Sequence, residues 1–518
     1  MRLKRLCLLA FAMTMMLTFA KAMGYSVKKG YGEDYSDKHG SLHTHAVVKD
    51  FPLEGVPLYN VRVNGAYVGL YNDRNFWGGL VHFGSFEFEN GHEITINISY
   101  YRPIKEFEVL PGKKLSLLSV RKTGRNSIEI KMDKADQNLT VIVNGEPKKH
   151  VLHLFCNSID HKAPDVAGKG YHRYDDRKLH YFGPGYHDLK KLLQTDVLNI
   201  EDGWHVYIAP GAVVYGSLNL SETTKWPKIS GRGMVYNDDR NKRVILAASY
   251  CNGVNVEGVL FHCHRSQGWQ VALSHCRNVE FKHVKIIGTR YASTDGLDVI
   301  NCQQCAFLNT FIRSNDDAIA IKGLGGKKPA ESDPSRNLTF CGMQLWNDCN
   351  CAMGIGAENH CSLYENIRFM NSSILFSYDD PDYHETLDER AAMTICCIHG
   401  TYFRNISYEN IDVYHCERLI AAGFQPNFWF GALPGDQTTP GGISNITYKN
   451  IRSFNNSGSH IANKIHLYGW KGGNGTPGKI VDGVTFDNVT IEGKKLESTD
   501  SPYFSECDMS TVRNITFK

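Results

Sequence analysis

The hexapeptide Asn405-Ile406-Ser407-Tyr408-Glu409-Asn410 carries the pattern that decides the fold. A turn-forming residue is followed by an apolar residue, any residue and an aromatic or apolar residue, and a second turn residue often stands five positions after the first. The nine copies of this pattern begin at Gly253, Asn278, Gln304, Asn337, Asn366, Asn405, Asn445, Gly483 and Asn514. Recurrence of this kind is typical of a repeat architecture.

The spacing of the copies identifies the kind of repeat. Successive copies begin 25, 26, 33, 29, 39, 40, 38 and 31 residues apart. A minimum near 25 with surpluses of varying length is what one coil of a solenoid with loop insertions gives. Each copy alternates with period two and is rich in Val, Ile, Phe and Tyr, which favours strands, and no clear amphipathic helix separates the copies. The sequence therefore predicts a right-handed parallel β-helix over residues 166–518.

Equivalent positions of neighbouring coils stack about 4.8 Å apart in such a fold. Asn begins six of the nine copies, tolerates left-handed backbone geometry and can hydrogen-bond to the coils above and below. It also recurs five residues later in several coils, at Asn309, Asn371, Asn410, Asn450 and Asn488. Cys251, Cys276 and Cys302 each precede a copy by two residues, so we expect one column of packed structural thiols. Disulfides among the other cysteines stay open.

The segment before the repeats predicts a second domain. Residues 23–165 contain no copy of the pattern and carry strand-like runs separated by turn signals. Asn64-Gly65 and Asn144-Gly145 are hairpin turn signals, and each follows an alternating apolar run. These features indicate an antiparallel β-sandwich at residues 23–165, ahead of the β-helix.

The N-terminus and the charge balance restrict the possible partners. Residues 1–22 resemble a secretory signal peptide, with Arg2, Lys4 and Arg5 before an apolar run and Ala20-Lys21-Ala22 as the cleavage site. Removing them takes four cations from the 57 Lys and Arg, which leaves 53 bases against 54 acids. Such a balance gives no electrostatic case for nucleic acid or an anionic membrane. No later stretch approaches the ~18 apolar residues of a membrane span, so we expect a soluble protein, secreted or periplasmic.

Cysteine usage and spacing argue against a structural metal. Fourteen cysteines follow residue 22, a low density for a disulfide scaffold. Cys302 and Cys305 form the only pair with two intervening residues, and no second such pair follows. We therefore predict no zinc site and no cofactor.

Two neighbouring coils carry carboxylates where a strand should begin. In Ser293-Thr294-Asp295-Gly296-Leu297 and Asn315-Asp316-Asp317-Ala318-Ile319, Asp295 and Asp317 hold the same place, 22 residues apart. We expect them to lie one above the other with Asp316 beside them. Like charges this close cannot all ionise at their ordinary pKa, so one of the three can hold a proton near neutrality. A general acid and a general base from one residue type are what glycoside hydrolysis requires.

The alternative for the three aspartates is structural. A lone Asp is most often a turn residue or a ligand of structural calcium. Three aspartates at one coil-spaced register favour catalysis instead.

The two motifs resemble those of the β-helical glycoside hydrolases that include polygalacturonases of family 28 and dextranases and isopullulanase of family 49. The resemblance covers the β-helix, and the sandwich that precedes it is more similar to family 49. It implies inverting hydrolysis, with Asp316 as general acid and with Asp295 and Asp317 activating a water molecule. The motif pair is fairly specific for this clan and much less specific for the substrate.

Departures from the polygalacturonase pattern bear on the substrate. Cys351 holds the place where a polygalacturonase has the histidine of Gly-His-Gly, and Arg390-Ala391-Ala392-Met393-Thr394-Ile395 contains no clear Arg-Ile-Lys. The residues that bind a uronate carboxylate in that family are therefore not matched. We expect a neutral α-glucan, dextran first, with polygalacturonic acid as the second candidate.

Several further residues are candidates for substrate binding. Arg390 can contact the sugar or form an ion pair with an acid of the loop 379–389, and Lys322 can reach a sugar hydroxyl or lie solvated at a strand end. Flat aromatic faces stack against pyranose rings. Tyr291, Trp346 and Trp429 are candidates for this role, although each can equally be a core or loop aromatic.

Two other function classes remain open at this stage. A polysaccharide lyase on the same architecture would need a Lys or Arg base, usually with calcium, and would release an unsaturated product. A non-catalytic carbohydrate-binding or adhesive β-helix would bind a polysaccharide without releasing product. In all three cases the expected partner is a polysaccharide or oligosaccharide.

Overall fold

The computed structural model describes residues 33–166, 168–241, 243–265, 268–325, 331–379, 390–425, 439–454, 459–473, 477–505 and 507–518. The predicted signal peptide lies outside these residues. The chain divides into two compact units. The first comprises Met1–Gly170, Gly183–His187 and Ala209–Val213, and the second comprises Tyr171–Phe182, Asp188–Ile208 and Val214–Lys518. The domain limits given above stay predictions.

Two β-sheets form the first unit. The seven-stranded sheet contains, in spatial order, Tyr35–Ser36, Leu42–Thr44, Leu80–Phe88, His150–Ser158, Gln137–Val143 and Phe107–Leu110, with Tyr71–Arg74 paired to Leu80–Phe88. The five-stranded sheet contains Ala66–Tyr67, Tyr59–Val63, Ile94–Tyr100, Ser127–Met132 and Ser119–Gly124. A short 3-10 helix spans Gly112–Lys114. Both Asn-Gly pairs lie in left-handed turns at the ends of strands, as their sequence predicts.

The core of this unit lies between the two sheets. Val61, Ile96 and Ile130 of the five-stranded sheet and Phe86 and Leu152 of the seven-stranded sheet belong to one buried apolar cluster. Alternating strand residues supply these side chains, as in a sandwich. The pairings are antiparallel except that Leu80–Phe88 and His150–Ser158 run parallel.

Parallel strands in three ladders form the β-helix, and each coil contributes one strand to each ladder over much of its length. The first ladder contains Leu179–Phe182, His205–Ile208, Lys228–Gly231, Asn252–Glu257, Arg277–Lys282, Gln303–Leu308, Ser335–Cys341, Leu363–Met370, Tyr402–Val413, Gly442–Ser453, Val481–Asp487 and Val512–Phe517, with Tyr171–Tyr174 antiparallel at its start. The second contains Gly185–Asp188, Ala212–Tyr215, Met234–Asn237, Leu260–Cys263, Lys285–Gly288, Phe311–Ser314, Gln344–Asn347, Ser373–Ser377 and Thr490–Ile491, with Lys494–Lys495 antiparallel at its end.

The third ladder positions the site described below. It contains Val197–Asn199, Ser217–Ser221, Leu246–Ser249, Val271–Ser274, Leu297–Ile300, Ile319–Gly323, Met353–Asn359, Met393–Cys397, Ile420–Phe424 and Ile465–Tyr468. One α-helix, Leu189–Leu193, has Asp188 as its N-cap. No helix in the described ranges has the length and hydrophobicity of a membrane span. The predicted fold class, a parallel β-helix after a β-sandwich, is confirmed.

The repeated pattern lies on the first ladder. All nine of its starting residues adopt a positive φ, from 53° to 94°. The side-chain amides of asparagines among them hydrogen-bond from coil to coil; for example, Asn366 Nδ2 donates to Asn337 Oδ1 at 3.0 Å and Asn405 Nδ2 donates to Asn366 Oδ1 at 3.3 Å. The aromatic residues at the fourth position of the pattern stack inside the coils, with Phe340 and Phe369 at 4.9 Å between ring centroids. The pattern therefore supplies both the turn and the core of each coil.

The cysteine column lies beside this ladder as expected. Cys251, Cys276 and Cys302 occupy equivalent positions in three successive coils and are buried. Each thiol donates to a backbone carbonyl, with Cys302 Sγ 3.3 Å from the Ile300 oxygen. None of the 14 cysteines in the described part of the chain is in a disulfide.

Candidate active site

The third ladder brings Asp295 and Asp317 together. Leu297 pairs with Ile319, so the aspartates two residues before them occupy the same position in neighbouring coils. The Gly296 N–H donates to the Asp317 carbonyl at 2.8 Å, which links the two coils at this point. The vertical alignment predicted from the sequence is therefore present.

Asp316 lies beside this pair and accepts three hydrogen bonds. Its Oδ2 accepts from the Ser293 N–H at 2.8 Å. Its Oδ1 accepts from Asn350 Nδ2 at 2.8 Å and from the Asp317 N–H at 3.0 Å. Asp317 Oδ1 in turn accepts from the Cys351 N–H at 3.0 Å. Groups from three coils thus hold the Asp316-Asp317 pair in a defined orientation.

All three aspartates line a cavity of about 280 Å³ on the β-helix. Asp316 is partly exposed, whereas Asp295 and Asp317 are buried. The other residues that line the cavity include Lys322, Arg390, Trp269, Ser293, Asn350, Cys351, Glu358 and Thr394. The cavity opens to solvent and therefore gives a small molecule access to the carboxylates.

Burial and mutual repulsion change the protonation of the carboxyl groups. Burial raises the pKa of Asp295 from 3.8 to about 6, although the nearby Lys322 opposes the shift. Burial raises the pKa of Asp317 well above its usual range, and the charges of Asp316 and Asp295 raise it further. Near neutral pH, Asp295 is therefore mostly ionised and Asp317 tends to keep a proton. One site thus contains both a proton acceptor and a proton donor.

Lys322 contacts two carboxylates at once. Its Nζ donates to Asp295 Oδ2 at 2.7 Å and lies 3.0 Å from Asp298 Oδ1. The three side chains are 5%, 4% and 0% exposed. The alternative of a solvated lysine at a strand end is therefore wrong for Lys322.

Of the two roles that the sequence allowed for Arg390, the structure shows the ion pair with an acid of the loop 379–389. Its Nη1 lies 2.5 Å from Asp379 Oδ1, and both side chains are less than one tenth exposed. Arg390 also lines the cavity. The charge of its guanidinium is already compensated by Asp379.

Two of the aromatic residues chosen from the sequence, Trp346 and Tyr291, do not line the cavity. Trp346 is fully buried, donates from Nε1 to Asp348 at 3.0 Å and stacks on Phe376 at 4.5 Å, so it offers no face to a sugar. This corrects the expectation for Trp346, which is a core residue. Tyr291 is 40% exposed and lies outside the set of cavity-lining residues. Trp429 lies outside the described residues.

The aromatic residue in the cavity is Trp269, which sequence reasoning missed. Val271 pairs with Leu297, so Trp269 holds the same position as Asp295 one coil earlier. Its ring is partly exposed. Counting two residues back from each strand of this ladder would have identified it, because the same count locates Asp295, Asp317 and Cys351.

Glu358 is a second residue that the sequence reasoning missed. Ile321 pairs with Ile355, but Gly323 pairs with Asn359, so two extra residues form a bulge in the later strand. Bulges re-aim side chains and occur often next to active sites. The bulge places Glu358 in the cavity wall, where its charge acts on Asp295, Asp317 and Lys322. Two glycines around Ile355, Gly354 and Gly356, are the sequence signal for this irregularity.

Cys351 continues the column of Asp295 and Asp317. It lies two residues before Met353, which pairs with Ile319, and it lines the cavity. Burial raises the pKa of its thiol well above the usual range, and the charge of Asp317 adds to this. The side chain is therefore a neutral thiol where a polygalacturonase has a histidine.

Comparisons with known proteins agree with this geometry. The model of the family "Glycosyl hydrolases family 28" matches residues 205–355. Dex49A from Penicillium minioluteum has a similar structure, with a TM-score of 0.63 and 13% identity over 94% of this chain and 100% of that chain. The family 28 exopolygalacturonase of Yersinia enterocolitica gives a TM-score of 0.47 and 11% identity over 81% and 96% of the two chains. No curated protein gives a significant sequence match to the chain.

The matched family segment contains Asp295, Asp316 and Asp317. This match and the cavity of carboxylates support a glycoside hydrolase that acts on a polysaccharide. The similarity to Dex49A shows a shared fold along almost the whole chain. The resemblance to the clan of families 28 and 49 is confirmed by the family 28 match, and the closer similarity to family 49 stays a prediction.

Proposed function

We propose that the chain is an inverting glycoside hydrolase, secreted or periplasmic, that cleaves a neutral α-glucan, with dextran as the first candidate substrate. The charge of the cavity is the observation that carries the choice of substrate. Four carboxyl groups line it, from Asp295, Asp316, Asp317 and Glu358, and Asp317 is the one that tends to keep its proton. The two cations that line it, Lys322 and Arg390, already contact Asp295 and Asp379.

A uronate substrate fits this charge distribution poorly. Its carboxylate would need a cation, and among the described cavity residues both cations are engaged by aspartates. Two like charges 4 Å apart near a protein surface repel by about 4 kcal/mol. That repulsion corresponds to roughly a thousandfold loss of affinity, whereas a neutral pyranose avoids it. The departures from the polygalacturonase motifs at Cys351 and Arg390 favour the same choice.

The three aspartates can divide the chemistry of an inverting reaction. Asp295, ionised beside Lys322, accepts a proton from a water molecule whose oxygen attacks the anomeric carbon. The bond from this carbon to the leaving oxygen breaks, and the Asp316-Asp317 pair supplies the proton that this oxygen takes up. The resemblance assigns the donor role to Asp316, which is partly exposed to the cavity. It groups Asp317 with Asp295 as an activator of water, but the burial that favours a proton on Asp317 argues for a role on the donor side instead. An α-linked substrate then yields a β-configured product.

Trp269 completes the substrate site in this proposal. It is the partly exposed aromatic ring of the cavity wall, one coil before Asp295. A pyranose can stack on such a ring while the carboxylates bind its hydroxyl groups.

The first experiment is a product profile on dextran, pullulan and polygalacturonate with anomeric configuration followed by NMR. We expect release of β-configured reducing ends from dextran, and loss of this activity by about 10²–10⁴-fold in Asp295→Asn, Asp316→Asn and Asp317→Asn. Retention of configuration, full activity of all three variants, or hydrolysis of polygalacturonate alone would contradict the proposal. An unsaturated product that absorbs in the ultraviolet would identify a lyase instead.

Glu358 tests the electrostatic part of the proposal. We expect Glu358→Gln to relax the discrimination between dextran and polygalacturonate by about tenfold, because one negative charge leaves the cavity wall. The ratio of kcat/KM values for the two polymers measures this. Glu365→Gln, which removes a carboxylate outside the cavity, is the matched control and should leave the ratio unchanged. An unchanged ratio in Glu358→Gln would show that cavity charge does not set the preference.

A further inference from the structure

A buried lysine between two carboxylates is the part of the site that the reaction scheme leaves without a role. Lys322 Nζ is 2.7 Å from Asp295 Oδ2 and 3.0 Å from Asp298 Oδ1. Asp298 is three residues after Asp295, fully buried on the strand Leu297–Ile300. A carboxylate placed in such a site is expensive unless a cation compensates it.

Asp298 interacts with Lys322 mainly as an ion pair. Neither carboxylate oxygen of Asp298 receives a well-directed hydrogen bond within the described ranges. The ammonium group of Lys322 is the cation at ion-pair distance from it. The Trp269 ring lies 4.2 Å from the same Nζ. Lys322 is thus enclosed by two carboxylates and an indole, which leaves it poorly placed to bind a sugar hydroxyl.

We infer that Lys322 is a positioning residue shared between Asp295 and Asp298, and that this sharing sets the pH at which Asp295 becomes the base. The inference deepens the proposed function and rests on it. Through its bond to Oδ2, Lys322 stabilises the ionised form of Asp295 and orients the carboxylate, so that Oδ1 is the oxygen that takes the proton from water. Burial raises the pKa of Asp298 well above its usual range and Lys322 opposes this shift, and in its ionised form Asp298 draws part of the same positive charge away and limits the stabilisation of Asp295.

The titratable groups around Asp295 in the described part of the chain belong to the third ladder or its preceding turns. They are Lys322, Asp298, Asp316, Asp317 and Glu358. Lys322 is the cation of this set, and the others are acids. Burial raises the pKa of Asp295 to about 6 even with Lys322 in place, so removal of the cation must raise it further.

Two substitutions should shift the pH dependence of kcat/KM in opposite directions. Activity requires ionised Asp295, so kcat/KM rises with pH through the pKa of this group. Lys322→Met removes the cation and should move this acidic limb to higher pH by about one to three units. Asp298→Asn removes the competing carboxylate, leaves Lys322 to Asp295 alone and should move the limb to lower pH.

The controls separate a positioning role from a structural one. Lys322→Arg should restore most of the wild-type profile, and Lys282→Met, at an exposed lysine, should change nothing. If Lys322 instead binds the sugar, Lys322→Met will raise KM and leave the acidic limb in place. An equal loss of kcat at every pH, or limbs that move in the same direction in Lys322→Met and Asp298→Asn, would also overturn the inference.

A titration without substrate keeps the inference testable apart from the proposed function. Carboxyl ¹³C NMR follows the ionisation of Asp295, whose signal is identified by its loss in Asp295→Asn. The expected result is a titration midpoint that rises in Lys322→Met and falls in Asp298→Asn. Because Asp298→Asn is nearly isosteric, it still tests the inference if Lys322→Met does not fold. Unchanged midpoints would refute the inference even if dextran is cleaved, whereas shifted midpoints without cleavage of any polymer would refute only the proposed function.

Discussion

The ionised form of the buried Asp295 carboxyl group is less stable in this site than it would be in water. Asp295 is buried, and this raises its pKa to about 6 in spite of the ion pair with Lys322. The proposed reaction requires this residue in the ionised form, which burial disfavours. The site therefore reduces the stability of the folded chain in exchange for a base that titrates close to neutral pH.

Asp295→Asn should accordingly stabilise the fold at neutral pH. The folded pKa is above the ordinary value of 3.8, so the unfolded chain releases the proton first and wild-type stability falls as pH rises from about 4 to about 6. Asn resembles the protonated form and still leaves Lys322 paired with Asp298. The gain at pH 7 is expected to reach up to about 3 kcal/mol, since each pKa unit corresponds to about 1.36 kcal/mol.

Thermal unfolding at pH 4 and pH 7 measures this effect. The difference in Tm between Asp295→Asn and wild type should be larger at pH 7 than at pH 4. Asp412→Asn, at an acid of the first ladder paired with Arg452, controls for the general effect of removing a negative charge. A variant that is less stable than wild type at both pH values would show that the Lys322 ion pair outweighs the cost of burial.

At the scale of the strand and its turn, the asparagine ladder gives each coil its corner. Asn366 has a φ of 55° and is bonded through its amide to Asn337 and Asn405 in the adjacent coils. A left-handed residue with a side chain other than Asn, Asp or Gly is strained, at about 1–2 kcal/mol. Asn366 therefore contributes to the coil both by its left-handed backbone conformation and by two side-chain hydrogen bonds.

Asn366→Ala should lower the free energy of unfolding by about 2–3 kcal/mol, because it adds strain and removes both hydrogen bonds. Asn366→Gly removes the same bonds and keeps the left-handed turn available, so its loss should be smaller. Urea unfolding of the two variants separates the contributions. Equal losses would mean that the turn conformation contributes nothing, and no loss in either would mean that the ladder is not a stabilising element.

For the molecule as a whole, contacts between neighbouring coils provide the cohesion of the β-helix. The stacked aromatic column includes Phe307, Phe340, Phe369 and Tyr408, with centroids 4.8–4.9 Å apart. In a solenoid, stability is approximately the sum of such nearest-neighbour interfaces. The described cysteines take part as buried thiols and not as cross-links.

Reducing agent should therefore leave the stability of the whole molecule unchanged. Differential scanning fluorimetry with and without a phosphine reductant is expected to give the same Tm, since none of the 14 described cysteines is in a disulfide. Counting alkylated thiols by mass spectrometry after unfolding provides the control. A Tm lower by several degrees under reduction would reveal a disulfide that the fold depends on.

The sequence by itself determined the β-helical coil and the stacking of equivalent residues from neighbouring coils. Because stacked coils turn a fixed position in the repeat into a fixed position in space, the register of Asp295 and Asp317 could be predicted from where they stand before their strands. The same logic predicted the asparagine ladder and the cysteine column, since all three depend on backbone register alone.

Only the tertiary structure decided which side chains face the cavity. Trp346 is in the core, Lys322 lies between two carboxylates, and a bulge brings Glu358 into the wall. A strand residue can point to either face, and the two extra residues of a bulge have no partner in the adjacent coil, so local pattern could not distinguish these outcomes. Register is a local property of the repeat, whereas the lining of the site depends on how separate coils and their loops pack around it.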